Sequence, residues 1–378
     1  MFSIAPGTIP AAVTTKGTPV PTCTRYAVVG AGWRASVFLR MAYLMPDRFE
    51  VAGVVTRRAE ASAELESAWG VRTYRDVETL LTAERPDFVV LSVPWPVTPE
   101  LTRQLVAAGV PVLAETPPAP DAEGLCALWH DVGARGLVQV AEQYALMPLH
   151  AARLEVVGSG LIGTPSSVLV SSTHQYHAVA LMRRFLGVGR EAVTVRAQTF
   201  AAELVDPITP TGWTHDTSPK PAGTTLASLD FGSGRMGRYD FTDNQWWNPL
   251  RPDHLVVRGS AGEIWDETVV RMVDEVTPMT SRLERASTGL GMNYEGLDLT
   301  HIALDGRVVF RNAFEGARLS DDDIGVAALL THTGAWVRDE AEPPYPVAEA
   351  CHDHLVSLAI GEAVESGGSV RVEHDLWG

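Results

Sequence analysis

Over residues 25–146, the chain alternates between short apolar runs and longer segments in which apolar positions recur at helical spacing. Short apolar runs are typical of buried strands, and the longer segments are typical of amphipathic helices. The predicted strands cover residues 26–29, 51–55, 71–74, 87–93, 111–115 and 137–142, and the predicted helices cover residues 33–44, 59–69, 76–82, 99–108 and 122–134. Strands that alternate with helices in this way predict a doubly wound parallel sheet.

From residue 148 onward the pattern changes, and most apolar positions alternate with a period of two. After a predicted helix at 150–157, strand-like runs cover residues 167–172, 193–200, 225–231, 235–242, 254–259 and 269–273. Short turns between such runs are typical of antiparallel pairing. Two more helices are predicted at 324–336 and 347–366. We therefore expect a second unit of the α+β type with a large, mainly antiparallel open sheet.

The first predicted strand ends in the tripeptide G-A-G at 30–32, and the first predicted helix follows directly. A glycine-rich turn between a strand and a helix lets the backbone approach a pyrophosphate, which free N–H groups at the helix N-terminus can bind. Ala35, another small residue, takes the place of the third glycine of G-x-G-x-x-G. With a second strand at the right distance, the turn predicts a dinucleotide site. Its candidate residues are Gly30, Gly32, Trp33 and Arg34.

The second predicted strand ends at Thr56, which Arg57 and Arg58 follow. Sites for NAD carry Asp or Glu here to bind the ribose 2′-hydroxyl, whereas hydroxyl and guanidinium groups can bind a 2′-phosphate. NADP(H) is therefore the favoured cofactor, and NAD(H) stays possible. The alternative interpretation is that the two arginines are solvated residues at the start of the next helix.

We expect three parts in the chain, because 378 residues exceed a single ordinary hydrophobic core. They are a flexible extension at 1–24, an NAD(P)-binding Rossmann domain at 25–146, and a domain for substrate binding and oligomerisation at 147–378. The predicted fold class is α/β, with a doubly wound parallel sheet followed by an α+β domain.

Ligands of doubly wound sheets bind beyond the carboxyl ends of the strands. Three further predicted strand ends should therefore line the same crevice as the glycine turn. Their sequences are S-V-P at 92–94, E-T-P at 115–117 and E-Q-Y at 142–144. We place the nicotinamide half of the cofactor against Ser92, Pro94, Glu115 and Pro117.

The order of these elements and four short motifs resemble the Gfo/Idh/MocA family of nicotinamide-dependent oxidoreductases. The motifs are G-A-G at 30–32, S-V-P at 92–94, A-E-T-P at 114–117 and T-H-Q-Y-H at 173–177. The resemblance covers about residues 25–370 and is strongest before residue 190. It implies a Rossmann domain joined to an α/β domain with a large open sheet. It also implies dimers or tetramers formed through that sheet, and redox chemistry on sugars, polyols or related small molecules.

The chain departs from this family at two positions of the reaction centre. The lysine of the family's E-K-P motif, credited with proton transfer, is Thr116 here, and the aspartate four residues before the catalytic histidine is Thr173. Only His177 of that set remains. A threonine hydroxyl is too weak an acid to replace the lysine, although it can donate a hydrogen bond to a substrate oxygen. The resemblance also implies a cis peptide bond between Thr116 and Pro117.

His177 is therefore the principal candidate for acid/base catalysis, assisted by Tyr144 or Glu142. We predict that it opens an amphipathic helix at 177–186, where the helix dipole keeps an imidazole neutral and able to accept a proton. A glutamate buried beside the cofactor can act as a general base. The competing interpretations are a core histidine for His177, a surface ion pair for Glu142 and a core position for Tyr144.

Substrate contacts are predicted from His174 and from the tryptophan pair Trp246 and Trp247. Paired tryptophans among amides and prolines are typical of a platform for a carbohydrate ring. The alternative is that this pair is buried in the sheet or in a subunit interface. Two histidines without a third ligand at a typical spacing do not indicate a metal site.

Composition excludes several other classes of protein. A formal net charge of −16 argues against a nucleic-acid partner, which clustered Lys and Arg would bind. No apolar run approaches the ~20 residues that a membrane span needs. Three scattered cysteines indicate neither a disulfide framework nor a zinc site, and residues 1–24 lack the features of a secretory signal. We therefore expect a cytoplasmic location.

We interpret the chain as an NAD(P)-dependent oxidoreductase that transfers hydride between the cofactor and a sugar-like or other small carbonyl or alcohol substrate. A homodimer or homotetramer formed through the C-terminal sheet is expected. Because the family lysine is missing, two other enzymes remain as alternatives, an NAD-dependent glycosidase and an NADPH-dependent imine reductase. A third alternative is a non-catalytic regulatory protein that binds a dinucleotide.

Overall fold

A computed structural model describes residues 23–209, 211–289 and 297–373 of the chain. Its N-terminal half contains the strands β1 (Thr24–Val29), β2 (Phe49–Val55), β3 (Thr73–Tyr74), β4 (Phe88–Leu91), β5 (Val112–Ala114) and β6 (Val138–Val140). They form one parallel sheet in the order β3-β2-β1-β4-β5-β6. The connecting helices are α1 (Trp33–Leu44), α2 (Ala59–Trp69), α3 (Val77–Ala83), α4 (Thr98–Ala107) and α5 (Ala122–Val132). The predicted doubly wound sheet is confirmed.

The central strand β1 is fully buried along most of its length, which explains why it reads as a continuous apolar run. Tyr26 stacks on Phe88 of β4 with ring centroids 5.7 Å apart. Its hydroxyl donates a hydrogen bond of 2.7 Å to the carbonyl oxygen of Phe38 in α1. One buried tyrosine thus joins the sheet to the helix that follows it.

The predicted extension at 1–24 lies outside the described residues except for its last two, and Thr24 belongs to β1.

The second half begins with α6 (Pro148–Gly158) and contains two sheets and a two-stranded ribbon. The remaining helices are α7 (Gln175–Leu186), α8 (Asp321–Val337) and α9 (Val347–Ser366). The strands are β7 (Pro165–Ser171), β8 (Val193–Val205), β9 (Ile208–Thr209), β10 (Gly212–Trp213), β11 (Pro219–Asp230), β12 (Met236–Thr242), β13 (His254–Gly259), β14 (Gly262–Trp265), β15 (Thr268–Met272), β16 (Pro278–Arg282), β17 (Glu284–Thr288), β18 (Asp298–Leu304), β19 (Arg307–Arg311) and β20 (Ser369–Val372).

Nine of these strands form one sheet in the order β16-β15-β14-β13-β7-β12-β11-β8-β20. All pairings in it are antiparallel except that of β12 with β7. The expectation of a large, mainly antiparallel sheet is therefore confirmed. Helices α7 and α9 pack on one face of it. Because side chains alternate along a strand, Phe200 and Trp265 lie on the opposite face, where both are exposed.

The prediction that His177 opens α7 is wrong by two residues. The helix begins at Gln175 and takes His174 as its N-cap, without a capping side chain. The backbone N–H of Gln175 instead donates to the hydroxyl of Tyr239 in β12, at 3.2 Å. The hydroxyl of Tyr239 thus accepts a hydrogen bond from the first N–H of α7, for which the local sequence provides no capping side chain. His177 remains in the first turn, and Gly187 ends the helix in the left-handed conformation.

The first turn of α8 connects the two halves of the chain. The hydroxyl of Ser320 accepts a hydrogen bond from the N–H of Asp323 and so caps the helix. Asp323 pairs with Arg40 of α1, and Asp322 lies 3.6 Å from the Nη1 atom of Arg34. Acidic residues that favour a helix start therefore also bind the first helix of the parallel domain.

No helix in the described ranges is long and apolar enough to cross a membrane.

Stability should depend on pH through His150 of α6, which is buried. Burial lowers its pKa to about 3, and the nearby Arg153 guanidinium contributes to the decrease. The unfolded chain takes up a proton below pH 6.5 while native His150 stays neutral, so stability falls as pH falls toward 3. When the pH is lowered from 6.5 to 5, His150 should decrease the free energy of unfolding by about 2 kcal/mol.

Urea denaturation at these two pH values tests this prediction. The free energy of unfolding of the wild type should fall further than that of His150→Gln, which has no imidazole to protonate. Equal losses in the two proteins would contradict the prediction.

Candidate functional site

The carboxyl ends of β1 and β4 meet at Gly30 and Ser92, where the strand order reverses direction. Gly30 has φ of +128°, and a Cβ atom on it would lie 1.9 Å from the carbonyl oxygen of Ser92. Only glycine fits this position, because both the backbone conformation and the space exclude a side chain. In doubly wound sheets, the crevice at such a switch point is where ligands bind.

The N-terminus of α1 is open beside this turn. Its N-cap, Gly32, makes no side-chain capping bond, and a Cβ atom built on Gly32 meets none of the described residues within 4 Å. The first helical residue, Trp33, is 74% exposed. Unpaired N–H groups with free space in front of them are what a pyrophosphate requires. The residues present therefore fit a dinucleotide at this turn.

Arginines are grouped at the end of β2. Thr56 is buried, and its N–H donates to the carbonyl oxygen of Tyr74 at 3.0 Å. Arg57 and Arg58 are exposed. Arg75, which follows β3, donates from Nη1 to the carbonyl oxygen of Arg57 at 3.2 Å. Sequence reasoning missed Arg75, although it stands directly after a predicted strand end.

A polar cluster joins α1 to the ends of β5 and β6. Nε of Arg34 lies 2.6 Å from Oε1 of Glu115, and Nη2 donates to Oε1 of Gln143 at 3.1 Å. The amide of Gln143 donates in turn to Asp322 of α8 at 2.8 Å. Arg34 thus lies in the crevice between the two domains and not over open solvent. The sequence predicted that E-Q-Y at 142–144 lines the crevice, but not that Gln143 pairs with Asp322, because this pairing spans 179 residues.

His177 and Glu142 form a buried pair. Their side chains are 9% and 4% exposed, and Nδ1 of His177 lies 2.5 Å from Oε2 of Glu142. Oε1 of Glu142 accepts the N–H of Tyr144 at 3.1 Å. A carboxylate at Nδ1 keeps the proton on that nitrogen and leaves Nε2 free to accept another. The alternative of a surface ion pair for Glu142 is wrong, because β6 ends inside the protein.

Two tyrosines hold the imidazole between them. The rings of Tyr144 and Tyr176 each have their centroid 4.4 Å from that of His177. Burial raises the pKa of Tyr144 to about 12. Burial also raises the pKa of Tyr176, and a hydrogen bond with Thr116 opposes that increase. Both hydroxyls therefore stay protonated at neutral pH. Tyr176 was not predicted, although it lies within the T-H-Q-Y-H motif.

His174 extends the aromatic group toward Trp246. Its ring centroid lies 5.0 Å from that of His177 and 5.4 Å from that of Trp246, which stacks on Phe241. Burial and the neighbouring His177 lower the pKa of His174 to about 4, so it is neutral at neutral pH. Trp246 is 46% exposed. Trp247 makes no ring contact with this group within the described part of the chain.

The remaining predicted residues lie along the crevice with different exposures. Pro94 is exposed and Pro117 is buried. The Thr116–Pro117 peptide bond is cis, as the resemblance implied. Thr173, at the place of the family's aspartate, is buried. In the described ranges, no group of three or more His, Cys, Asp or Glu side chains is arranged to hold a metal ion.

Comparison with known proteins agrees with this geometry. Residues 24–142 match the family model GFO_IDH_MocA, described as an oxidoreductase family with an NAD-binding Rossmann fold. The match confirms the resemblance seen in the motifs and the oxidoreductase class that it implied. No curated protein matches the chain in sequence.

Solved structures resemble most of the chain and not only its N-terminal half. One is an oxidoreductase from Agrobacterium radiobacter in complex with NAD+, L-tartaric acid and magnesium. It is 16% identical in sequence, with a TM-score of 0.64, and the alignment covers 92% of this chain and 98% of that chain. A myo-inositol dehydrogenase from Corynebacterium glutamicum is 17% identical with a TM-score of 0.64, covering 93% and 99%. The WlbA dehydrogenase from Bordetella pertussis, in complex with NADH and UDP-GlcNAcA, is 17% identical with a TM-score of 0.63, covering 93% and 99%. At these identities, the similarity shows the shared two-domain fold.

Replacing Gly32 with alanine tests the open helix N-terminus. The added methyl group meets no atom in the described part of the chain, so the free energy of unfolding should change by less than about 0.5 kcal/mol. The same methyl group occupies the space of the pyrophosphate, so calorimetric affinity for NAD+ and NADP+ should fall at least about tenfold. The control is Gly361→Ala in α9, which also meets no atom within 4 Å. Unchanged affinity in a folded Gly32→Ala protein would contradict this assignment.

Proposed function

We propose that this protein transfers hydride between a nicotinamide dinucleotide and a small, sugar-like alcohol or carbonyl compound. The observation that carries the proposal is the buried His177–Glu142 pair at the carboxyl end of β6. Gln143, the residue next to Glu142, binds Arg34 in the first turn of α1. This contact links the acid/base group to the helix that would bind the pyrophosphate.

The cofactor would lie with its pyrophosphate against Gly30 and Gly32, where the space and the free N–H groups fit it. Its adenosine ribose would lie near Thr56 and the arginines, and its nicotinamide near Ser92, Pro94, Glu115 and Pro117. When bound, the nicotinamide supplies the acceptor or donor of the hydride. The protein's own residues orient the substrate and move the proton.

His177 would act as the acid/base catalyst. Glu142 holds its Nδ1 proton, and none of the described residues binds Nε2, so Nε2 can take a proton from a substrate hydroxyl or return it to a carbonyl. Thr116 would donate a hydrogen bond to a substrate oxygen. Tyr144 and Tyr176 would fix the imidazole plane. In this arrangement, the His177–Glu142 pair would carry out the proton transfer that the family assigns to its lysine.

A sugar-like substrate is supported by the aromatic group beside His177. Trp246 is half-exposed next to His174, and an apolar ring face with a neighbouring imidazole suits a polyhydroxylated ring. The printed names of similar structures include a myo-inositol dehydrogenase and a complex with UDP-GlcNAcA. Trp247, which makes no ring contact with this aromatic group in the described residues, would contact the substrate farther from His177.

NADP(H) is our preferred cofactor, with NAD(H) as the alternative. Thr56, Arg57 and Arg58 follow β2, and Arg75 reaches Arg57 from the end of β3. Three guanidinium groups and a hydroxyl can bind a 2′-phosphate, and none of these residues offers a carboxylate to the 2′-hydroxyl of NAD.

We also propose that residues 25–146 bind the cofactor and residues 147–378 bind the substrate and a second copy of the chain. Phe200 and Trp265, which are exposed on the sheet face opposite α7 and α9, support a homodimer or homotetramer. The free cysteines Cys23, Cys126 and Cys351 support a reducing, cytoplasmic location.

The catalytic role of His177 is tested by His177→Gln. Absorbance at the NAD(P)H wavelength should show turnover of a panel of polyols and sugars by the wild type. In the variant, kcat should fall at least about 100-fold, because no group replaces the base. Nucleotide affinity should be unchanged. The control is His130→Gln on the surface, which should keep full turnover.

Equal turnover by His177→Gln and the wild type would remove His177 from the mechanism. Tight cofactor retention without net redox turnover would instead favour the glycosidase alternative.

Cofactor choice is tested by Arg57→Ala and Arg75→Ala. Each should weaken NADP+ binding about tenfold, because one charge-assisted contact with the 2′-phosphate is lost. NAD+ binding should change little. The control is Arg135→Ala, an exposed arginine near the end of α5. Calorimetric titrations that show equal losses for both nucleotides would contradict the preference for NADP(H).

A further inference from the structure

The hydroxyl of Tyr176 lies among the residues that the proposed function places at the reaction centre. It is 3.1 Å from Nε2 of His174. The side chain of Thr116, two residues after β5, interacts with the same hydroxyl. The ring of Tyr176 packs against that of His177, with the centroids 4.4 Å apart. The phenol oxygen, the Thr116 hydroxyl and the imidazole of His177 therefore converge on one part of the crevice.

Three imidazole rings surround the ring of Tyr176. Besides His177, these are His174 at the N-cap of α7 and His354 of α9, with centroids 5.1 and 5.7 Å from that of Tyr176. Both meet the phenol ring in edge-on geometry. Nε2 of His354 lies 3.4 Å from the carbonyl oxygen of Pro120, in the segment that follows the E-T-P turn. Contacts from α7 and α9 therefore determine where the phenol hydroxyl lies.

The hydroxyl of Tyr176 keeps a hydrogen that it can donate. Burial raises the pKa of Tyr176, so the phenol stays protonated at neutral pH. The lowered pKa of His174, about 4, keeps that imidazole neutral, and a neutral imidazole donates from one ring nitrogen only. With its proton on Nε2, His174 donates to the phenol oxygen. The phenol hydrogen is then free for an acceptor in the crevice.

We propose that Tyr176 donates a hydrogen bond to the reacting oxygen of the substrate and that the Nε2–H group of His174 orients it for this role. The inference rests on the proposed function. Tyr176 is then a catalytic residue, and His174 is a positioning residue that acts through it. A neutral phenol in a buried site is a good donor to an oxygen that becomes negative during a reaction.

The donor acts while charge builds on the substrate. In the oxidation direction, the substrate hydroxyl gives its proton to Nε2 of His177 as hydride leaves the carbon for the nicotinamide. The oxygen, as it becomes negative, accepts hydrogen bonds from Tyr176 and Thr116, which stabilise it. After the carbonyl product leaves, His177 releases the same Nε2 proton to solvent. Its Nδ1 proton stays with Glu142, so the imidazole returns to its starting tautomer, and Tyr176 keeps its own proton throughout.

Removing the phenol oxygen tests the role of Tyr176. Tyr176→Phe keeps the ring that packs against His177 and removes only the hydroxyl. In a single turnover followed by stopped-flow absorbance of NAD(P)H, the rate of hydride transfer should fall at least about tenfold, because one donor to the reacting oxygen is lost. Nucleotide affinity should be unchanged. The control is Tyr43→Phe in α1, where the tyrosine is 67% exposed, and this variant should keep the wild-type rate.

The orienting role of His174 is tested without turnover. In protein with nitrogen-15 histidine, long-range proton–nitrogen correlation NMR shows which ring nitrogen carries the proton, and His174→Gln assigns the signals. At neutral pH the proton of His174 should be on Nε2. In Tyr176→Phe this proton loses its acceptor, so its resonance should move upfield or be lost to faster exchange with water. A proton on Nδ1 in the wild type would overturn the inference, because Tyr176 would then donate to His174.

The outcomes separate this inference from the proposed function. An unchanged rate of hydride transfer in Tyr176→Phe would overturn the inference and leave the proposed function standing. If Tyr176→Phe does not fold, the tautomer of His174 in the wild type decides, with Nε2–H in support and Nδ1–H against. If the wild type turns over none of the polyols and sugars, the proposed function fails, and the inference fails with it.

Discussion

The buried hydrogen bond between His177 and Glu142 is the interaction on which the site depends. Glu142 comes from the end of the parallel sheet, and His177 comes from the first helix packed on the large sheet, so this contact is one of those that join the two halves of the chain. Burying a carboxylate and an imidazole away from water is unfavourable unless each satisfies the other. Oε1 of Glu142 is satisfied as well, by the N–H of Tyr144. The pair therefore favours the arrangement in which the two halves of the chain bring both partners together.

The contacts around this pair maintain that arrangement. Arg34 binds Glu115 and Gln143 from the side of α1, and the acidic first turn of α8 binds α1 a second time through Asp323 and Arg40. These contacts place the glycine turn, the E-T-P turn and the E-Q-Y segment along one crevice. Such half-buried, networked ion pairs contribute more to position than to net stability.

Threonines stand at the two positions where the resemblance implied a lysine and an aspartate. Thr116 and Thr173 are both uncharged, so neither adds a charge to the crevice or beside His177. Glu142 supplies a negative charge from β6, and the tyrosines on both sides of the imidazole supply bulk and hydroxyl groups. The carboxylate of Glu142, bonded to Nδ1, determines the tautomer of the His177 imidazole. The half-buried His174 beside this group is neutral at neutral pH, and its Nε2 lies 3.1 Å from the hydroxyl of Tyr176.

Local periodicity determined the elements of this protein, because strands and helices bury residues at different spacings. The bounds of α1, α2 and α9 agree with those expected from the sequence, and glycine at position 30 already predicted the crevice. Periodicity did not determine where α7 begins, since the hydroxyl of Tyr239 in β12 binds its first N–H. Only the tertiary structure paired Glu142 with His177, joined Arg34 to Asp322 and brought Arg75 to Arg57. These contacts link residues far apart in the chain, and no local pattern records which distant side chains packing will bring within hydrogen-bonding distance.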